Sequence, residues 1–147
     1  MAVGNWTVFA NAKLQMSKKA IDLSADTFVM VLLSNAYSPA VNTDAAWSTM
    51  SADELTTAGG YTAGGVVLTS VTDTLSGAAV TWAAASSTWA TFTATFKYGM
   101  LVHRAGGSLT GTDIPIAYFD ASTGGGSVTG AGGTLTITNP SGLIVIS

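Results

Sequence analysis

The 147-residue chain has no cysteine, a single histidine and a single glutamate. Without a thiol it can build no disulfide framework, thiolate nucleophile, zinc–thiolate site or iron–sulfur cluster. Charge is scarce as well. Charged residues make up 9% of the chain, against about 25% in an ordinary soluble domain. Five Lys and Arg against eight Asp and Glu give a net charge of −3 and a pI near 4.6. The largest basic cluster is Lys18-Lys19, whereas backbone binding to nucleic acid needs a positive patch that neutralises several phosphates. Direct nucleic-acid binding is therefore not expected. Long apolar runs are absent too. The best stretches, residues 28–33 and 143–146, fall far short of the roughly 20 residues that cross a bilayer, so no membrane partner is expected. The segment Met1-Ala2-Val3-Gly4-Asn5-Trp6 lacks a basic region and a continuous apolar stretch, although Ala10-Asn11-Ala12 imitates a small-x-small cleavage pattern. It reads as a mature start made in the cytoplasm.

What remains is rich in hydroxyls and small residues: 22 Thr, 15 Ser and 17 Gly, with 48% of the chain apolar. Thr, Val, Ile and the aromatics suit a pleated, half-buried surface, and Gly fills turns. At 14.8 kDa the chain has the size of one domain, which buries about two thirds of its unfolded surface. A surface of Thr, Ser, Ala and Gly loses little side-chain entropy when covered, so it suits packing against other subunits as well as water.

Along the chain, Trp6, Phe9, Ala10, Lys13, Met16, Ser17 and Ala20 fall near one helical stripe, with Lys18 and Lys19 where cations complement the helix dipole. A short N-terminal helix is expected over residues 6–20. Residues 22–26 read as a turn. The run Phe28-Val29-Met30-Val31-Leu32-Leu33 reads as a strand buried on both faces, whose second face the N-terminal helix or a neighbouring subunit must cover. Ser51-Ala52-Asp53-Glu54 matches the S/T-x-x-E capping box, which makes Glu54 a cap and predicts one further short helix ending at Gly59-Gly60.

The rest alternates with period two. Phe92, Ala94, Phe96 and Tyr98 interleave with Thr91, Thr93, Thr95 and Lys97, and Thr134-Leu135-Thr136-Ile137-Thr138 repeats the pattern. Further strands are expected at 66–72, 78–82, 99–103, 114–119 and 143–146, separated by turns at Ser76-Gly77, Gly106-Gly107, Gly124-Gly125-Gly126, Gly132-Gly133 and Ser141-Gly142. Pro115 cannot donate to a ladder, so its strand begins there or lies at an edge. The expectation is an all-β, mainly antiparallel fold, a jelly-roll-like β-sandwich. Residues 1–24 form an N-terminal arm or helix packed on a single domain of residues 25–147.

Little in the chain points to chemistry. Gly59-Gly60-Tyr61-Thr62-Ala63-Gly64-Gly65 is glycine-rich, but no Lys-Ser/Thr follows and Val66-Val67-Leu68 comes next; it reads as a hinged loop with the Tyr61 ring packed down and its hydroxyl out rather than a phosphate cradle. Any Ser-His-Asp triad must use His103, which has no Asp at readable spacing, and a lone His makes no ordinary metal site. Asp22, Asp26, Asp44, Asp73, Asp113 and Asp120 each stand beside Ser, Thr or Gly or in turn-like sequence, as caps and turns do. A glycosidase pair could hide among them, since carboxylate separation belongs to the fold. No catalytic residue, cofactor or metal ligand is assigned. Among the four Trp, at 6, 47, 82 and 89, a carbohydrate groove is one use, while Trp82 and Trp89 better fit a core edge or an interface.

Four segments together resemble a family of small virion proteins of tailed bacteriophages. They are residues 20–33, from Ala20-Ile21-Asp22 to Val31-Leu32-Leu33; Gly60-Tyr61-Thr62-Ala63-Gly64-Gly65-Val66-Val67-Leu68; residues 89–98; and Ile116-Ala117-Tyr118-Phe119-Asp120 before a Gly-rich turn. The order covers most of the chain. The chain departs from the family at that turn, where Ser122-Thr123-Gly124-Gly125-Gly126 replaces acidic residues. The resemblance implies a capsid decoration or cement protein on the head exterior, binding the major capsid protein and itself as a homodimer or homotrimer. Such proteins bridge shell subunits through many modest contacts that resist genome pressure, and closed oligomers suit capsid symmetry. The competing readings are a tail-fibre or carbohydrate-binding module and a tail-tube or head-completion subunit. The candidate interface residues are Trp6, Phe9, Tyr61, Trp82 and Trp89. If the N-terminal segment is dispensable for folding, Trp6 and Phe9 belong to an arm that ties subunits together, and deletion of residues 1–12 leaves a folded chain that no longer binds capsids; loss of folding instead marks the segment as the cover for residues 28–33.

Overall fold

The computed structural model describes residues 6–122 and 124–138, and the backbone of residues 144–146. Twelve strands and one α-helix follow one another in the described residues: β1 (Thr7–Val8), α1 (Ala10–Ser17), β2 (Thr27–Leu33), β3 (Val66–Val67), β4 (Thr72–Ser76), β5 (Ala79–Ala83), β6 (Ser87–Phe92), β7 (Thr95–Phe96), β8 (Tyr98–Arg104), β9 (Ile114–Asp120), β10 (Val128–Thr129), β11 (Gly133–Ile137) and β12 (Ile144–Ile146). All named pairings are antiparallel. The main sheet has the order β1-β9-β8-β2-β3; β12-β5-β4 forms a second sheet, and β11-β6 and β10-β7 are two-stranded. The fold is all-β, mainly antiparallel and sandwich-like. Among the described residues the strands group as five, three, two and two.

The centre of the molecule is the seven-residue pairing of β2 with β8, from Thr27 opposite Arg104 to Leu33 opposite Tyr98. Phe28 through Leu33 are all buried, as a continuous apolar run requires of a strand flanked by β8 and β3. Their cover comes from this chain alone. The Phe28 ring meets Trp82 of β5 edge-on at 5.1 Å, and one apolar cluster spans the sheet and the layer packed on it. Next to it, Gly99 pairs with Phe119. The Phe119 ring lies over it so closely that a Cβ there would sit 2.1 Å from a ring carbon, which leaves glycine as the residue that fits.

The N-terminal segment departs from a helix over residues 6–20. Thr7–Val8 form a strand at the sheet edge, opposite Tyr118 and Ala117, and the helix runs only from Ala10 to Ser17. The β1 strand is extended by Phe9 N–H donating to the Ile116 carbonyl at 2.9 Å; this ladder satisfies the backbone where a helix start would leave orphan donors. The helix ends at Lys18, and Lys19 takes a left-handed φ of 58°.

The capping-box helix is also corrected. Residues 47–53 form two single 3-10 turns, Trp47–Thr49 and Ser51–Asp53, with no side-chain cap, and Glu54 is extended. Glu54 is drawn away from the helix start by partners described below. The alternating stretch of residues 91–98 is likewise not one strand. Thr91 has a φ of 50°, Thr93 N–H donates to Gly59 and Gly130 N–H to Ala94, and the chain breaks into the end of β6, β7 and the start of β8. The alternation survives as burial, with Phe92 and Phe96 inside. The expected strand over residues 66–72 keeps two ends, β3 and the start of β4. Pro115 lies in an interior strand, where the β8–β9 register shifts between Leu101 and Val102 and beyond the reach of β1; a bulge accommodates the missing donor. The turn expected at Ser141-Gly142 lies outside the described residues.

Candidate functional site

The side chains able to do acid–base or nucleophilic work gather into separate clusters, each built around one ionisable residue. The first is the glycine loop. Gly59, Gly60, Gly64 and Gly65 all have positive φ, and they bend the chain so that the Tyr61 ring enters the core beside Trp89, ring centroids 6.2 Å apart. The hydroxyl does not point out. It donates to Glu54 Oε1 at 2.7 Å and accepts from Leu32 N–H at 3.2 Å, while Gly64 N–H donates to the same Glu54 oxygen at 2.6 Å. Burial raises the Tyr61 pKa well above that of a free phenol, and the neighbouring Glu54 charge adds to this. The loop amide that an anion would need is therefore taken by a carboxylate. Glu54 fastens this loop to β2, a role that the four-residue spacing of a capping box does not disclose.

The second cluster joins His103 of β8 to Asp26, Nε2 to Oδ2 at 2.9 Å. The same carboxylate oxygen accepts Asp22 N–H at 2.8 Å, and Trp82 Nε1–H donates to the Leu23 carbonyl at 2.8 Å. His103 and Trp82, with rings flanking Phe28 at 5.7 and 5.1 Å, thus pin the turn of residues 22–26 onto the end of the sheet. Within that turn, the exposed Asp22 carboxyl is held below its usual pKa by hydrogen bonds from the Ser24 hydroxyl and amide. Asp26 is 77 positions from His103, which is why no local spacing revealed the pair. Among the described residues no hydroxyl hydrogen-bonds His103 to complete a nucleophile–base–acid arrangement, and no group of three His, Cys, Asp or Glu is placed to hold a metal ion.

The third cluster went unseen in the sequence. Lys97 looks like one more outward residue of an alternating strand, but its side chain is only 10% exposed. Its ammonium group reaches Asp120 at 3.1 Å and donates to the carbonyls of Ser122 and Gly126 at 3.3 and 3.2 Å. An ammonium has three donors, and here each has an acceptor. Lys97 therefore ties down the Gly-rich turn after β9. A lysine standing alone in an otherwise uncharged strand was the available signal.

Two buried aspartates act in the same way. Asp44 accepts the Tyr37 hydroxyl at 2.6 Å and Ala40 N–H at 2.9 Å, and burial with this bond raises the Tyr37 pKa. Asp113 accepts Ala105 and Thr110 N–H at 3.0 and 2.7 Å. Asp, Glu, His and Lys are here loop fasteners, each supplying acceptors or donors that the turns of a Gly-rich chain cannot supply themselves.

The five candidate interface residues lie mostly inside. Phe9, Tyr61, Trp82 and Trp89 are buried in this chain's own core and Trp6 is half-buried, its ring edge-on to Phe119 at 4.9 Å. In place of an interface, they pack within the chain, in one apolar cluster with Phe28, Phe92, Phe96 and Phe119. Trp47 is buried as well, so none of the four indoles is an exposed platform for a sugar ring.

Among the described residues, the exposed large apolar side chains are Leu14, Val67, Leu75 and Val80. Two of them meet. Leu75 of β4 and Val80 of β5 are directly opposite, at 72% and 38% exposure, near the tip of the β4–β5 hairpin. Further down the same face, Asp73 pairs with the buried Trp82. The base of the hairpin therefore packs on the body while its tip runs out into solvent. A shallow apolar recess lined by Phe92, Phe96, Val128 and Leu135 lies between β7–β10 and β6–β11. Among the described residues no helix is long and apolar enough to cross a membrane.

Comparison with protein-family models, with curated proteins and with solved structures finds no match.

Proposed function

We propose that this chain is a structural subunit of a tailed-bacteriophage virion, a decoration or cement protein that binds the major capsid protein on the outer surface of the head. The observation that carries this reading is the pairing of a body in which Asp26 with His103, Asp44, Glu54, Lys97 and Asp113 fasten loops with a solvent-exposed apolar hairpin tip, Leu75 against Val80. The likeness of residues 20–33, 60–68, 89–98 and 116–120 to small phage virion proteins names the setting. A shell protein has to be rigid, resistant and adhesive, and needs no chemistry. Loops held by buried carboxylates and a lysine supply rigidity, and a surface of Thr, Ser, Ala and Gly is covered by a neighbour at little entropic cost. Multivalent attachment across the shell then turns weak single contacts into lasting ones. A glycan-binding module is less favoured, because all four Trp are buried or half-buried.

The test is cosedimentation of the purified chain with heads, stripped of surface proteins, of the phage whose genome carries this sequence. Saturable pelleting with the heads, and a rise in the temperature at which they release DNA, is the expected result. A chain that stays in the supernatant at all concentrations overturns the reading, and growth of the pure chain into tubes or large rings replaces it with a tail-tube or head-completion subunit.

A further inference from the structure

We propose that two copies of this chain join edge to edge through β4, antiparallel and related by a two-fold axis at Thr74, so that β12-β5-β4 continues into the same three strands of the second copy. The inference deepens the assembly reading by naming a partner and rests on that reading for its purpose, while its geometry stands on the hairpin alone.

The backbone sets the terms. Ser76 pairs with Ala79 across a two-residue loop, Gly77-Ala78, and Gly77 has a φ of 62°. A two-residue loop makes its flanking pair a hydrogen-bonded one, and such pairs alternate along an antiparallel ladder. The groups of Ser76, Thr74 and Thr72 therefore face β5. Those of Asp73 and Leu75 face the other way, where β4 has no neighbouring strand among the described residues. Four backbone groups thus point off an open edge. Natural edges are guarded by charged side chains, above all Lys, by Pro or by bulges; β4, Thr-Asp-Thr-Leu-Ser, has a single charge, Asp73, no Lys or Pro, and pairs with β5 without a register shift.

The occupant follows from self-complementarity. Antiparallel pairing of β4 with its own copy places the two-fold axis on a residue. An axis at Asp73 sets two carboxylates directly opposite, which is repulsive. One at Leu75 pairs Asp73 with Gly77, whose left-handed backbone belongs to the turn, and leaves only the Leu75 pair of bonds. At Thr74, Asp73 faces the second copy's Leu75 twice over, all four outward groups are bonded, and the two Asp73 carboxylates are diagonal neighbours about 7–8 Å apart rather than directly opposite, where repulsion is strongest. The two Leu75 side chains then sit on one face as diagonal neighbours, about 7–8 Å apart at the backbone and within reach of each other, with Val80 of each copy beside them. That covers the largest exposed apolar side chain of the described residues. The contact is small beside the roughly 1,200 Å² of a standard stable interface, so the dimer is a reversible one that a shared shell reinforces.

The absence of native cysteine makes a cysteine scan diagnostic. In this register Thr74 meets its own copy in a non-hydrogen-bonded pair, with Cα atoms about 4.5 Å apart, inside the span a disulfide accepts. Thr74→Cys under mild oxidation is expected to give a covalent dimer at least tenfold faster than Ser108→Cys, an exposed position far along the chain, and faster than Thr72→Cys. Leu75→Lys is expected to abolish the concentration-dependent dimer in light scattering with an unchanged circular dichroism spectrum. Equal crosslinking at 74 and 108, or a Leu75→Lys chain that dimerises like the parent, overturns the pairing. A chain that fails to crosslink yet pellets with heads loses only this inference; one that crosslinks through residue 74 yet ignores heads keeps it and loses the capsid reading.

Discussion

The β2–β8–β9 sheet and the β4–β5 hairpin are both antiparallel and are used in opposite ways. In the sheet, Phe28 through Leu33 and Met100 through Val102 are buried, β2, β8 and β9 each have neighbours on both sides, and the turns at 22–26, 59–65 and 121–126 are fastened by Asp26 with His103, Glu54 and Lys97. In the hairpin, Thr72, Asp73, Thr74 and Leu75 are all exposed, one edge is open, and apolar groups face water. Among the described residues, buried polar groups tie down turns of the body, whereas the outer part of the hairpin is held to the chain through the pairing of β4 with β5.

Changes that strike the body should dwarf those at the hairpin. Deletion of residues 1–12 removes the β1 edge and the fully buried Phe9 and Ala12, and is expected to abolish folding, since a stability of about 5–15 kcal/mol does not survive that loss; a chain with native circular dichroism and a cooperative melt after the deletion would contradict it. Gly65→Ala comes next. Its φ is +70° and a Cβ would lie 2.1 Å from the Met30 carbonyl oxygen, so a loss of more than about 3 kcal/mol is expected in urea unfolding. Tyr61→Phe leaves Leu32 N–H without its acceptor and Glu54 with Gly64 N–H alone, a loss of about 1–3 kcal/mol.

Alkaline titration gives a smaller and graded effect. Tyr37 and Tyr61 have folded pKa values raised above the ordinary tyrosine value of 10.0. Above pH 10 the unfolded chain releases these protons while the folded chain keeps them, so stability is full below pH 10 and falls as pH rises. The slope is about 1.4 kcal/mol per pH unit for each tyrosine. Urea unfolding between pH 9 and 11 should show the fall, and Tyr37→Phe should remove about half of it. Smallest of all, Leu75→Ser should shift monomer stability by no more than about 0.5 kcal/mol; a loss near 2 kcal/mol would mean that the hairpin tip belongs to the body after all.

Composition and periodicity were enough for the class of fold. The alternation of residues 134–138 marks β11, and the run of residues 28–33 announces a central strand because only a fully enclosed strand tolerates so many apolar groups in a row. Local pattern misled where a distant partner intervened. Glu54 fits a capping box but is held by Tyr61 and Gly64, and Tyr61 turns its hydroxyl inward because Leu32 N–H and Glu54 wait there. The aromatics proposed for an interface fill the core instead.

From sequence alone, this chain was bound to lack thiol chemistry, to present few charges and to build short antiparallel strands, because those follow from which side chains are present and from how neighbours alternate. Which residues became fasteners and which stayed free was decided only in the folded molecule. Asp26 meets His103 and Lys97 meets Asp120 across 77 and 23 positions, distances that local spacing cannot encode. The exposure of Leu75 beside the burial of Trp82 on the same hairpin face likewise depends on where the body of the domain ends, and that boundary exists only once the sheets have packed.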